Sequence, residues 1–168
     1  MAMNLDEIAK ILQESDFKFK KMGDTLSLTF ELDNQIMVAI GSYHNGDVVV
    51  LNFVPLYSGK YLDTTICKDK KSLAYELINL NLDYSFGDWE FGNSENCLSF
   101  AIKIPLLDNV LTSVQLASIL NFGCKIANKD IMKILNFINN TEPKTDVKIS
   151  ESEKSLLEEF MRFKKSQE

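Results

Sequence analysis

The stretch TLSLTFELDNQIMVAIGSYHNGDVVVLNFVPLY, residues 25–57, decides the fold. Its first part alternates with period two, and the apolar positions on one side are Leu26, Leu28, Phe30 and Leu32. This alternation is typical of a β-strand with one buried face. Asn45-Gly46 is a strong hairpin signal, because both residues accept the positive φ angles of a type I′ turn. The stretch therefore predicts consecutive antiparallel strands.

The register of these strands can be predicted from the face of the sheet on which each side chain must lie. A two-residue turn at Asn45-Gly46 pairs Ile40 with Leu51. A three-residue turn over residues 33–35 pairs Leu28 with Ile40. Both pairings place the apolar side chains of three strands on one face, and a slip of one residue in any strand would move them to the other face. We therefore predict one shared core face.

The other face of the second and third strands of this stretch is also largely apolar, through Met37, Ala39, Tyr43, Val48, Val50 and Val54. A strand that is apolar on both sides is normally covered on both sides. Dimerisation and cover by another part of the same chain explain this face equally well, and both stay open. We predict a partner-binding surface, whose sheet residues are Met37, Tyr43, Val48, Val50 and Val54.

Helices and a second hairpin surround the meander. Apolar residues recur at helical spacing over residues 4–15, where Asn4 and Glu7 can form a capping box, and over residues 69–82, which predicts two helices. Residues 17–22 alternate as a short strand, and residues 89–91 and 97–106 form the second hairpin. The order α-β-β-β-β-α-β-β-α-α lacks strict βαβ alternation. It indicates an α+β fold with helices packed on an antiparallel sheet.

A further helix is predicted from Thr112, because Gln115 three residues later completes a capping box. We expect a break in it near Asn128, since Asp130 could cap a new helix. The chain then divides into a domain over residues 1–140, a linker over 141–149 and an amphipathic helix over 150–168. The apolar stripe of that last helix is Leu156, Leu157, Phe160, Met161 and Phe163.

The C-terminal helix offers a second candidate partner-binding surface, formed by Leu156, Phe160 and Phe163. The competing interpretation is that this helix packs on its own domain, and the pattern favours it slightly. Either way, the expected partner is a protein client or a second copy of the chain in a homodimer.

Composition excludes several classes of partner. The net charge is −6 over 168 residues and no block of Lys and Arg stands out, so duplex nucleic acid is not expected. The first residues lack a basic region followed by an apolar one, and no apolar run is long enough to span a bilayer. We therefore predict a cytoplasmic protein that binds no membrane.

Catalytic and metal-binding patterns are missing from the sequence. His44 is the single histidine and lies in a predicted turn, away from any nucleophile. The cysteines at 67, 97 and 124 form no C-x-x-C pair, and the glycines form no phosphate-binding loop. We predict no catalytic residue, no metal, no cofactor and no enzyme activity. Trp89, the single tryptophan, is interpreted as a core residue.

Two segments carry a family resemblance: LINLNLDYSFGDWEF, residues 77–91, and FAIKIPLLDNVLTSVQL, residues 100–116. A helix ends in Leu-Asn, a Phe-Gly turn leads to a short aromatic strand, a long strand ends in Pro-Leu, and Leu-Thr opens a helix. Over residues 4–139 the chain resembles the YbjN-type family, which is similar in fold to class I type III secretion chaperones.

This resemblance implies a small acidic protein that binds protein, often as a homodimer, rather than an enzyme. YbjN-type members are candidate regulators, and the secretion chaperones bind extended segments of an effector along sheet and helix surfaces. No functional residue can be transferred from either group to a position of this sequence. The favoured function is a chaperone-like or regulatory protein-binding module. The alternative is a small-ligand sensor with a pocket between sheet and helices near Trp89 and Phe122.

Overall fold

The computed structural model describes residues 3–62, 64–67, 69–91, 97–106 and 109–140. Its helices are α1 (Leu5–Glu14), α2 (Lys70–Leu82) and α3 (Ser113–Asn140). Its strands are β1 (Lys20–Met22), β2 (Thr25–Glu31), β3 (Gln35–Tyr43), β4 (Val48–Tyr57), β5 (Lys60–Tyr61), β6 (Asp88–Phe91) and β7 (Leu98–Pro105). The predicted linker and the predicted C-terminal helix, residues 141–168, lie outside the described residues.

The strands form one antiparallel sheet with the neighbour order β1-β2-β3-β4-β7-β6, and β5 pairs with the end of β4. The helices pack on one face of this sheet, with α3 against β3, β4 and β7, α1 against β2, and α2 against β6. This arrangement confirms the predicted α+β fold. None of the helices in the described part of the chain is long and apolar enough to cross a membrane.

Both predicted capping boxes are present. The Asn4 backbone N–H donates to the Glu7 carboxylate at 2.8 Å, and the Glu7 N–H donates back to the Asn4 side chain at 3.0 Å. At the start of α3, the Thr112 N–H donates to Gln115 Oε1 at 2.9 Å and the Gln115 N–H donates to Thr112 Oγ1 at 3.2 Å. These bonds satisfy N–H groups that have no partner within the helix.

The register of the central hairpin is confirmed, because Ile40 pairs with Leu51. The predicted register between β2 and β3 is wrong by two residues, since Leu28 pairs with Val38 instead of Ile40. The three-residue turn lies one residue earlier than predicted, over residues 32–34, so that Glu31 is opposite Gln35. A shift of two residues keeps every side chain on its predicted face, because the side-chain period of a strand is two.

The predicted break in α3 near Asn128 is wrong, and the helix runs on to Asn140. The polar residues that suggested a break have tertiary partners instead of capping roles. Asn128 accepts hydrogen bonds from the backbone and the side chain of Asn34 at 3.1 and 3.2 Å, in the turn between β2 and β3. Asp130 is fully buried. Tertiary contacts therefore override the local signal.

Two predicted boundaries also change. The strand expected over residues 17–22 begins only at Lys20, and Phe17 packs edge-on against Phe30 with ring centroids 6.1 Å apart. The segment after β4, where neither a strand nor a helix is predicted, contains β5 and a 3₁₀ turn at Thr64–Ile66. The hairpin between β4 and β5 turns at Ser58 and Gly59, which both have positive φ.

The core lies between the sheet and the helices. The sheet side chains that face it include Ile36, Val38, Ile40, Leu51, Phe53, Phe100 and Ile102, and each is fully buried. α3 comes closest to the sheet at Gly123, where an added Cβ would collide with the ring of Phe53. The core side of the sheet is therefore closely packed.

Candidate functional site

The face of the sheet opposite the helices is the candidate site, and we call it the open face. It consists of alternate residues of the two central strands: Met37, Ala39, Gly41 and Tyr43 of β3, and Val48, Val50, Asn52, Val54 and Leu56 of β4. These positions alternate with the buried core positions of the same strands. α3 packs on the other face, where Gly123 lies against the ring of Phe53, and α1 and α2 both contact α3.

The pairing of β3 with β4 brings together the five sheet residues that the sequence singled out. Met37 lies opposite Val54, and Tyr43 lies opposite Val48. Val50 lies opposite Gly41 between these pairs. The three predicted residues of the C-terminal helix, Leu156, Phe160 and Phe163, lie outside the described residues, so the structure does not place them relative to the sheet residues.

The side chains of the open face differ in how far they are exposed. Tyr43 is 51% exposed, whereas Val54 is 7% exposed. Met37, Val48 and Val50 are half-buried. Together they form an apolar strip that the chain itself covers only in part. Contiguous apolar surface of this kind is typical of an interaction site.

Tyr43 lies flat along the strip rather than pointing into solvent. A Cβ on Gly41 would lie 2.6 Å from Cε2 and 2.9 Å from Oη of Tyr43. A side chain at position 41 would therefore displace the tyrosine ring. Gly41 is thus required for the position of the ring, although its own φ angle is ordinary. The ring therefore lies over Gly41 and is still 51% exposed.

Sequence reasoning missed Tyr61, which extends the open face beyond β4. Tyr61 on β5 pairs with Leu56 of β4, and its hydroxyl lies 3.5 Å from the sulfur of Met37. Tyr61 is 46% exposed. The signal that could have found it is the Ser58-Gly59 pair, because a small flexible dipeptide between strand-forming residues indicates a tight hairpin.

Polar residues border the strip on both sides. On β2 the residues that share this face are Thr25, Ser27, Thr29 and Glu31. On the opposite side, Lys103 of β7 lies beside Val50 and forms an ion pair with Glu90 of β6 at 3.0 Å. An apolar centre with an aromatic residue and a polar rim is the usual anatomy of a protein–protein interface.

A second feature of interest is the carboxylate of Asp130 on α3, which is fully buried in the core. One carboxylate oxygen, Oδ2, accepts a hydrogen bond from the Tyr84 hydroxyl at 2.7 Å and another from the Trp89 ring N–H at 3.1 Å. The other oxygen, Oδ1, is buried without a hydrogen-bond partner. Burial, and then the bond to Asp130, raise the pKa of Tyr84 well above its usual value.

The neighbours of Asp130 show that this network joins three elements. The side chain of Asn81 on α2 accepts from the Trp89 backbone N–H at 2.7 Å and donates to the Trp89 carbonyl at 3.1 Å. The rings of Trp89 and Tyr84 both pack edge-on against Phe100, at 5.8 and 5.5 Å. The cluster thus ties α2, β6 and α3 together within the core.

Trp89 is a core residue, as the sequence predicted. Its side chain is 3% exposed, so its ring is not available for a ligand to stack on. Phe122, the other aromatic residue of the predicted ligand pocket, is 41% exposed and contacts Phe86 with ring centroids 6.3 Å apart. Trp89 therefore lies within the core, whereas Phe122 lies at the surface beside Phe86.

His44 and Cys124 are two further residues with reactive side chains. His44 is exposed in the turn between β3 and β4. Cys124 is 5% exposed, and burial raises the pKa of its thiol to about 12, which keeps it in the unreactive protonated form. Within the described ranges, no three His, Cys, Asp or Glu side chains come together as metal ligands.

Comparisons with known proteins place the fold. No protein-family model matches the chain, and no curated protein matches it. Among solved structures, the chain is similar to YbjN from E. coli, which is described as a candidate transcription regulator. The TM-score is 0.55 and the identity 13%, over 83% of this chain and 93% of that one. Such low identity establishes the fold alone, and the chain has a YbjN-like fold.

Proposed function

We propose that this protein is a non-catalytic protein-binding module whose open face binds an apolar segment of a partner. The partner is a client protein or a second copy of the chain. The observation that carries the proposal is the open face itself, an apolar strip with two half-exposed tyrosines on the side of the sheet away from the helices. Apolar surface of this kind gains free energy when a partner removes it from water.

The environments of the single histidine and of the buried carboxylate support a non-catalytic role. The single histidine stands alone in an exposed turn. The buried carboxylate of Asp130 is engaged by two donors within the core. The Tyr84 hydroxyl that donates to Asp130 has a raised pKa, which keeps it in its protonated and weakly nucleophilic form. The ligand-sensor alternative rests on the ring of Trp89, which is 3% exposed.

A chaperone-like or regulatory role fits both the surface and the fold. YbjN is described as a candidate transcription regulator, and secretion chaperones hold effector segments on sheet and helix surfaces. For this chain, the net charge of −6 opposes binding to a phosphate backbone. We therefore propose that any regulatory action is exerted by contact with protein, in the cytoplasm, and that nucleic acid is not a ligand.

Affinity capture with matched variants tests the proposal. The variant Val50→Glu introduces a charge at the centre of the open face. The control Thr29→Glu introduces the same charge at an exposed position of β2 on the rim. Circular dichroism verifies that both variants are folded. The captured proteins are then quantified by mass spectrometry from the native lysate.

We expect a defined protein to be retained by the wild type and by Thr29→Glu but lost with Val50→Glu. Direct titration of that protein, once purified, should reproduce the difference in affinity. Equal retention by all three proteins would show that the partner binds elsewhere and would refute the role of the open face.

A further inference from the structure

The outer edge of the sheet at β6 is bonded to a side chain instead of a strand. The side-chain amide of Asn81 on α2 accepts from the Trp89 backbone N–H at 2.7 Å and donates to the Trp89 carbonyl at 3.1 Å. We infer that Asn81 closes this edge against the β1 edge of a second copy of the chain. The inference is independent of the proposed function, because it concerns the edge of the sheet and not its open face.

β6 ends the path of hydrogen-bonded strands in the described part of the chain, with β7 as its inner neighbour. Residues of an antiparallel strand direct their backbone groups alternately towards one side and the other. Trp89 lies opposite Phe100 of β7, yet both of its backbone groups are bonded to Asn81. These groups therefore point outwards, where an edge strand ordinarily presents them to any strand that approaches.

The amide of Asn81 takes the place of a neighbouring strand. An asparagine side chain carries an acceptor and a donor close together, so it satisfies both backbone groups of one residue. Trp89 is also fixed from inside, because its ring N–H donates to Asp130 at 3.1 Å and its side chain is 3% exposed. β6 is thus held to α2 at its edge and to α3 in the core.

The two outer edges of the sheet are complementary in direction. The path β1-β2-β3-β4-β7-β6 has six strands, and each neighbouring pair is antiparallel, so β1 and β6 run in opposite directions. A copy displaced sideways by the width of the sheet therefore offers its β1 antiparallel to β6 of the first copy, with the open faces on the same side. Repetition of this contact does not close on itself, so it produces an open-ended assembly.

The two edges are also complementary in charge. β1 has the sequence KKM and β6 the sequence DWEF. Lys20 and Asp88 are both exposed, and the strand pairing places both on the open-face side of the sheet. Opposite charges therefore meet when the two edges approach. Because the Trp89 backbone is already bonded to Asn81, the approach yields no main-chain hydrogen bond at Trp89.

Hydrogen exchange measured by nuclear magnetic resonance tests the bond. We expect the Trp89 amide to be protected in the wild type, although it points away from β7. Asn81→Ala should raise its exchange rate about five- to tenfold, the factor for an ordinary hydrogen bond, while the Leu51 amide in the middle of the sheet keeps its rate. Asn79→Ala, at an exposed position of the same helix, is the control. Equal rates for Trp89 in the wild type and in Asn81→Ala overturn the inference.

Two further variants separate loss of the bonds from loss of the side chain. Asn81→Leu removes both hydrogen bonds at similar side-chain volume, so it should match Asn81→Ala and replaces it if that variant does not fold. Asn81→Asp keeps the acceptor for the Trp89 N–H, so the Trp89 amide should stay protected. Exchange as fast in Asn81→Asp as in Asn81→Leu contradicts the role of this acceptor.

Light scattering over a range of concentrations tests the closure of the edge. Asn81→Ala and Asn81→Leu should gain mass continuously with concentration, whereas Asn79→Ala keeps the mass of the wild type. Adding Lys20→Glu should suppress the gain, because like charges then meet at the two edges. An unchanged mass in both Asn81 variants overturns the closure, and a gain that survives Lys20→Glu overturns β1 as the approaching strand.

The variant Val50→Glu distinguishes the edge from the open face. The gain in mass of Asn81→Ala should persist when Val50→Glu is added, since β7 lies between β4 and β6. Loss of the gain in the double variant means that the copies meet through the open face, which overturns the inference. Retention of a captured partner by Val50→Glu alone refutes only the proposed function.

Discussion

The two faces of the central strands differ although the strands themselves are shared. On the core face, Ile40 and Leu51 are fully buried beneath the helices. On the open face, at the adjacent position of each strand, Gly41 lies beneath the exposed ring of Tyr43 and Val50 is half-buried. Apolar residues on the core face of this sheet therefore stabilise the fold, whereas those on the open face are available for association with a partner.

The largest effect on stability is expected at the core face, for Phe53→Ala. Phe53 is fully buried against Gly123 and Phe100, so truncation leaves a cavity that the helix cannot fill. The free energy of unfolding should fall by about 3–5 kcal/mol. Denaturant titration measures it, with Asn52→Ala on the open face of the same strand as control. A loss of similar size in Asn52→Ala would remove the contrast between the faces.

A somewhat smaller loss is expected for Asp130→Ala. The Tyr84 hydroxyl and the Trp89 ring N–H lose their common acceptor within the core. Each buried unsatisfied donor costs about 1–3 kcal/mol, so we expect a loss of about 3 kcal/mol by thermal and denaturant unfolding. Lys133→Ala, an exposed position on the same helix, is the control. If the midpoint of unfolding were the same in Asp130→Ala as in the wild type, the hydrogen bonds to Asp130 would not stabilise the core.

The same network predicts a dependence of stability on alkaline pH. Tyr84 has a pKa that is raised in the folded protein, by burial first and by the bond to Asp130 second. Its contribution is therefore fully present below its unfolded pKa of about 10 and is lost as the pH rises above that value. Unfolding measured from pH 8 to 11 should show a steeper decline for the wild type than for Tyr84→Phe. Parallel curves would contradict this assignment.

The smallest effect on stability is expected for Tyr43→Glu on the open face. Tyr43 is 51% exposed, and substitutions at exposed positions usually change the free energy of unfolding by about 0.5 kcal/mol or less. Light scattering tests the surface itself. If the open face mediates self-association, the wild type has a larger mass than Tyr43→Glu. An unchanged mass together with unchanged stability would exclude this face as a dimer interface.

Much of the fold could be predicted from local pattern. The alternation in β2 to β4 assigned the core face correctly, and both capping boxes started their helices where the sequence placed them. The exact pairing of β2 with β3 could not be predicted, because registers that differ by two residues bury the same side chains. Within the candidate site, Tyr61 escaped prediction because β5 is only two residues long.

The sequence by itself determined which residues are apolar on which side of each strand, because side-chain direction follows from backbone period alone. It also determined that no recognisable catalytic motif is present. Only the tertiary structure decided that Asp130 belongs to the core and not to a helix end, because its donors come from residues more than forty positions away. Only the tertiary structure placed the described helices on one face. That placement leaves Val50 and Tyr43 accessible, since accessibility depends on what packs across the sheet and not on the strand's own pattern.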